Sequence, residues 1–259
     1  MKELHAISTI AYRDIMKFLR DKPRIVGTFI FPIIFIAALG GSFQANLGDQ
    51  IGFNYLTFVF TGVLAQTLFQ SSAAGIISLI EDRENDFSQE IFVSPISRYS
   101  IILGKIVGES GVALLQGIGI VLFGLLINIR YSWQQVLVLV PVAVVVCLFG
   151  AAFGIIVMSQ IKNQRTANQI FPFLLFPQFF LAGVFNPMES GPLYLLILSR
   201  IAPMTYAVDF LRTVFYQGRP DYAAATIFTP LLNIIVMGSM FALFIIIGTY
   251  FFVKNERNR

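Results

Sequence analysis

Charge is what this sequence has least of. Only 12% of its 259 residues are Asp, Glu, Lys or Arg, where a soluble domain carries about 25%. Cysteine and histidine are nearly absent as well: Cys147 and His5 stand alone. One Cys forms no internal disulfide and no cysteine metal cluster, and one His forms no His-rich metal site. No Ser/His pair, metal-ligand cluster or paired intramembrane Asp stands out, so no catalytic residue and no metal ligand is expected. What is present is apolar: 56% of residues are hydrophobic, 27 are Phe, and the mean hydropathy is +0.77. One soluble core of this length does not hide that much apolar surface. The composition excludes a cytosolic enzyme, a secreted disulfide scaffold and a disordered chain.

A membrane-crossing helix takes about 20 apolar residues. Six segments qualify: Ile25–Phe43, Tyr55–Ile80, Ile101–Ile127, Val136–Met158, Gln169–Pro187 and Ile227–Val253. Backbone polar groups in lipid must be satisfied within the segment, so these are helices. Continuous runs of this length exclude a membrane β-barrel, whose strands are short and alternating. The first run starts too late and is too long for a signal peptide. Six spans put both ends of the chain on one side. Of the 18 Lys and Arg, all but Arg130, Arg200, Arg212 and Arg219 then fall on that side. The positive-inside rule makes it the cytoplasmic one.

Two polar stretches on that side are patterned. In residues 1–24, Leu4, Ile7, Ala11, Ile15 and Phe18 share one helical face, and Arg13, Lys17 and Arg20 the opposite one. This predicts an amphipathic helix lying in the membrane interface with its cations toward anionic headgroups. The 81–100 loop opens with an acidic run, Glu81 to Glu90, in which half the residues are carboxylates, and Ile91-Phe92-Val93 follows directly. It has neither the glycine-turn spacing of a calcium loop nor an Asp-x-x-Asp-Asp pattern. A charged turn beside an apolar patch suits docking to another protein.

These residues carry a resemblance. The stretch Glu81–Lys105, with Val93-Ser94-Pro95-Ile96-Ser97-Arg98 and Leu103-Gly104-Lys105, is one part. The other is Phe179-Phe180-Leu181-Ala182-Gly183-Val184-Phe185-Asn186-Pro187, followed by Ala202–Arg212. In order, spacing and topology they resemble the membrane subunits of type-2 ATP-binding cassette exporters over nearly the whole chain. The resemblance implies an all-α permease of six spans in a bacterial inner membrane. It implies an N-terminal interfacial helix and short external re-entrant helices within 188–217, where Arg200, Asp209 and Arg212 lie. It implies a second permease subunit, expected to be an identical copy, and two ATPase subunits that bind ATP and Mg. Coupling to the ATPase is carried over to Glu81, Arg83, Glu84, Ser94, Pro95 and Arg98. The chain itself agrees on the division of labour. Gly104-Lys105 has Tyr99 where a phosphate loop needs its first Gly, and Ile106 where it needs a hydroxyl, so no cofactor is expected in this chain.

Inside the spans, Lys105 and Glu109 lie four residues apart on one helix face. They read either as an ion pair anchoring the third span or as a relay or substrate contact. Gly104, Gly108, Gly111, Gly150 and Gly154 have the small-x-x-x-small spacing of closely packed helices. In the fifth span Pro172 and Pro177 interrupt the backbone ladder, and Phe173, Phe176 and Phe180 form a stripe. The second span carries Gln66, Gln70, Ser71 and Ser72. Two walls, one aromatic and one polar, suit a substrate with an apolar body and a polar head. The bland alternative has the Phe stripe facing lipid and the glutamines bonding a neighbouring helix. The functional expectation is export of a drug, lipid or lipid-linked glycan, with membrane lipid as partner and no nucleic acid. A polysaccharide-exporting permease, a proton-coupled carrier and a membrane-embedded enzyme are the alternatives.

Overall fold

The computed structural model describes residues 2–51, 53–84, 97–129, 131–161, 163–187 and 191–257. They form helices throughout, with no strand among the described residues. In chain order these are α1 (Lys2–Arg20), α2 (Lys22–Ile34), a π-helical stretch (Phe35–Gly40) and α3 (Gly41–Ile51). Next come α4 (Tyr55–Gly75), α5 (Ile77–Glu84), α6 (Arg98–Leu126), α7 (Trp133–Met158) and α8 (Gln164–Leu181). The chain finishes with α9 (Leu193–Ile201), α10 (Pro203–Phe215), α11 (Tyr222–Ala225) and α12 (Pro230–Arg257).

Polar residues set the boundaries. Asp21, Asn54, Ser97, Ser132 and Asn163 each accept the amide three residues on, and so start α2, α4, α6, α7 and α8. At α7, Gln135 returns the bond to Ser132 and completes a capping box. These caps move four starts to the N-terminal side of the apolar runs: Lys22, Arg98, Trp133 and Gln164 replace Ile25, Ile101, Val136 and Gln169. Helix α4 is mostly apolar and buried nearly all round, so it is the central element. Around it stand α6, α7 and α10, with Phe58, Phe60, Phe69, Phe149 and Phe215 fully buried between them.

Among the described residues, five stretches are long and apolar enough to cross a bilayer: Lys22–Asn46, Tyr55–Asp82, Tyr99–Leu126, Trp133–Met158 and Tyr222–Lys254. Helix α8 falls outside that group because its first turns are polar. Its contacts nevertheless carry it across the bundle. The Gln164 amide donates to Glu84 at the end of α5 (2.9 Å). Just past the other end of α8, the Phe185 carbonyl accepts from Tyr55 at the start of α4 (2.6 Å). The segment from Gln164 to Phe185 therefore covers the full depth of α4 and α5.

The pair α9 and α10 bends by 83°. Just after the bend, Met204 and Thr205 bond Gln178 and the Leu181 carbonyl, while at the end of α10 the Phe215 carbonyl accepts from Gln135 at the start of α7. Such a bend is that of a broken span or of a re-entrant pair. Pro203 opens α10 at its first position, where its missing N–H costs nothing.

Candidate functional site

Two features organise the chemistry: an ionic cluster at the α1 end of the bundle and a cleft beside α4. The cluster grows out of close packing. Helix α1 runs alongside the first turns of α6, with Glu3 at Ser97, Ile10 at Gly104, Ala11 at Gly108 and Ile15 at Gly111. A Cβ on Gly108 would lie 3.0 Å from the Ala11 Cα, tighter than ordinary contact, so glycine lets the two helices approach this closely. The small-residue spacing is thus used to seat α1. The apolar side of α1 is covered by α6 at Ile10, Ala11 and Phe18, while Leu4 stays exposed at 71%. Two of its cations turn to protein: Lys17 pairs with Glu81 (3.0 Å), and Arg13 with Asp14 (2.9 Å) and Asp82.

Lys105 closes the cluster. It is buried, and its ammonium lies 2.7 Å from Asp82 and 3.1 Å from Asp14, and donates to the Ser78 hydroxyl (3.0 Å). One lysine of α6 thus ties α1 to α5. It does not pair with Glu109; a glutamate one turn away on the same helix cannot match carboxylates presented face-on by two other helices. Glu109 instead accepts from Ser78 (2.8 Å), and its second oxygen has no hydrogen-bond partner. Burial works against the Arg13 charge, yet hydrogen bonds to Asp82 and Asp14 outweigh it and raise its pKa.

Among the residues expected to couple to an ATPase, Glu81 holds Lys17 and Glu84 accepts the Gln164 amide at the positive end of the α8 dipole. Arg83 lies in the last turn of α5 and Arg98 in the first of α6. Ser94 and Pro95 lie outside the described residues. Sequence reasoning missed Asp14, Asp82 and Ser78. The signal for Asp14 is a lone carboxylate on the apolar face of α1, three residues after Ala11, and a lone lysine in a span demands such a partner.

The cleft has a volume of about 550 Å³. It lies between α2 and α8, with α4 as its floor. Gln66, Gln70 and Ser71 line one side, and Phe31, Phe176 and Phe179 the other; Arg24 and Glu81 lie at the α1 end. Gln66 and Gln70 hydrogen-bond each other, and the Gln66 carbonyl oxygen is buried without a partner. The structure therefore brings Gln66, Gln70 and Phe176 around one space. Phe173 and Phe180 do not line it: they are 82% and 57% exposed on the outer face of α8.

At the far end, Asp209 and Arg212 are both buried but do not pair with each other. The Arg212 guanidinium donates to the carbonyls of Gly183, Phe58 and Val184 (2.8, 3.1 and 3.0 Å) and stacks on the Phe58 ring. Asp209 accepts from the amides of Ile227 and Phe228 and from Asn233 (2.7, 2.9 and 2.8 Å), and so fixes the entry to α12. Arg200 lies over the Phe228 ring at 4.2 Å. These residues hold the re-entrant pair in place. No group of three or more His, Cys, Asp or Glu is arranged to hold a metal among the described residues.

The ABC-2 type transporter family model matches residues 5–216. The chain is 27% identical over 240 residues to the inner membrane transport permease YadH of Escherichia coli, covering 89% of this chain and 90% of that one. It is 25% identical over 199 residues to the transport permease ycf38 of Cyanophora paradoxa (74% and 67%). It is 22% identical over 192 residues to nodulation protein J of Rhizobium meliloti (73% of each).

Proposed function

The chain belongs to the ABC-2 type transporter family, and from that membership we propose that it is the membrane half of an exporter for an amphipathic substrate. It is a multi-pass membrane protein of the transport-permease kind. A separate ATPase, in two copies, supplies the energy, and a second copy of this chain completes the route. The substrate is a drug, a lipid or a lipid-linked glycan. The observation that carries this reading is the cleft between α2 and α8. Its glutamine wall suits a polar head and its phenylalanine wall an apolar body.

Mechanically, the cleft and the ionic cluster share α5. Glu81 lines the cleft and pairs with Lys17, and Asp82 joins Arg13 and Lys105. A push on the 81–100 loop is delivered to α5, and from there to α1, α6 and the end of α8. A rigid helix tied by several ion pairs moves as one body, which is what transmission needs. In this reading α1 and the end of α12 are cytoplasmic, which the cation distribution supports, and the membrane is a bacterial inner membrane.

Reconstitution of the chain with its ATPase in vesicles tests the reading. Phe176→Ala and Gln66→Leu are expected to lower substrate-stimulated ATP hydrolysis and transport together, and to shift the ranking of substrates. Transport that proceeds without ATP overturns the exporter assignment, and unchanged selectivity in both variants overturns the cleft as the route. A reporter active only outside the cytoplasm, inserted at Gly218, should give signal; silence there reverses the orientation.

A further inference from the structure

On the opposite side of α4 from Gln66 and Gln70 lies a second space, about 340 Å³, between α4, α6 and α7. Its inner wall is Phe60, Leu64 and Leu68; its rims are Ile118, Leu122 and Val140, each 57% exposed. Tyr131 contributes a phenol, and its hydroxyl is already bonded to the Val121 carbonyl (2.9 Å). The crevice opens sideways, between two membrane-spanning helices. Water finds no partner there, and an empty slot forfeits the dispersion contacts of its walls. It runs along α7 from Val136 to Ala143, starting one turn inside Trp133. From Trp133 to Ala143 is ten residues, about 15 Å of helix, or half the hydrocarbon thickness of about 30 Å. A slot of that depth, entered from one face, takes one acyl chain of one leaflet.

Near the Val136 end, outside the lining itself, stands a cation. The Arg219 guanidinium donates to Gln135 (3.4 Å), the residue before Val136, and lies 4.6 Å over the Phe215 ring. We propose that this crevice is a binding site for an anionic phospholipid of the leaflet at the far end. One acyl chain fills the space between α6 and α7, and the phosphate sits beside Arg219. The site lies apart from the cleft and does not depend on what the cleft transports.

The chain contains a built-in reporter. Trp133 is its single tryptophan, and positions 133, 136, 140 and 143 share one helix face. In lipid nanodiscs, phosphatidylglycerol with brominated acyl chains is expected to quench Trp133 saturably at low mole fraction. Brominated phosphatidylcholine should need about fivefold more, the ratio one surface cation confers. Arg219→Gln should remove the difference between the two lipids. Ala143→Phe, which fills the slot, should abolish the saturable component for both. Quenching that rises in proportion to mole fraction and equally for the two lipids overturns the site as bulk lipid contact. Absence of quenching overturns it in favour of a crevice closed or covered by a second copy of the chain.

Discussion

Replacing Lys105 by methionine keeps the length of the side chain and removes its charge. The ammonium and the Asp14 carboxylate are both almost wholly out of water, at 2% and 3% side-chain exposure. Removing one partner of such a pair costs about 3–5 kcal/mol, because the other charge stays buried. Here Arg13 remains within 2.9 Å of Asp14 and also holds Asp82, so the lower end applies, about 3 kcal/mol. The double variant Lys105→Met/Asp14→Asn removes both charges and should recover part of that loss. A coupling of about 1–3 kcal/mol is expected between the two sites. Cys147 gives the assay, since it is the single thiol and fully buried. A thiol-reactive fluorogenic dye added during thermal unfolding in detergent labels it only when the bundle opens. Single-variant losses that simply add would refute the cluster as a cooperative unit. A Lys105→Met protein as stable as the parent would refute the burial argument itself.

Other consequences are open to the same kind of measurement. Arg212→Met leaves the Gly183 and Val184 carbonyls without their donor, while the Phe58 carbonyl keeps the Thr61 hydroxyl; at about 1–3 kcal/mol for each unsatisfied group, a loss of at least about 2 kcal/mol is expected in the Cys147 assay, and a loss under about 1 kcal/mol contradicts the role given to this side chain. Gly108→Leu drives a side chain into the α1 backbone, and should free α1 so that trypsin cuts faster after the already exposed Lys17, while leaving the dye assay little changed; unaltered digestion contradicts the seating of α1. The Ser100 hydroxyl, with the amide and hydroxyl of Ser97, holds the exposed Glu3 carboxyl below its usual pKa. A depressed carboxylate contributes stability that is complete above about 4.3, its unfolded value, and is lost as pH falls through the lower folded value. Amide exchange at Ser97 should therefore quicken on acidification in the parent and be independent of pH, after correction for intrinsic exchange, in Glu3→Gln.

The sequence by itself determined the material of the elements and five of the six expected spans. Apolar runs of twenty and more residues leave lipid as the only solvent, and satisfaction of the backbone in lipid leaves only helices. The short apolar piece Leu193–Ile201 was legible for the same reason, since nine residues do not cross. So was a closely packed face on α6, because Gly104, Gly108 and Gly111 recur on it; that α1 is what packs there was not. Tertiary structure decided the partners. Lys105 and Glu109 share a face of α6, and Asp209 and Arg212 a face of α10, so local spacing points to two ion pairs. Neither forms. Each charge is buried where another helix supplies better-placed groups: Asp14 and Asp82 for Lys105, three carbonyls for Arg212, two amides and Asn233 for Asp209. A charge withdrawn from water needs several oriented partners at once, and one neighbour a turn away provides a single contact at a poor angle. Which carbonyls and carboxylates converge is a property of how the helices stack, and it is written in no stretch of chain short enough to read by period.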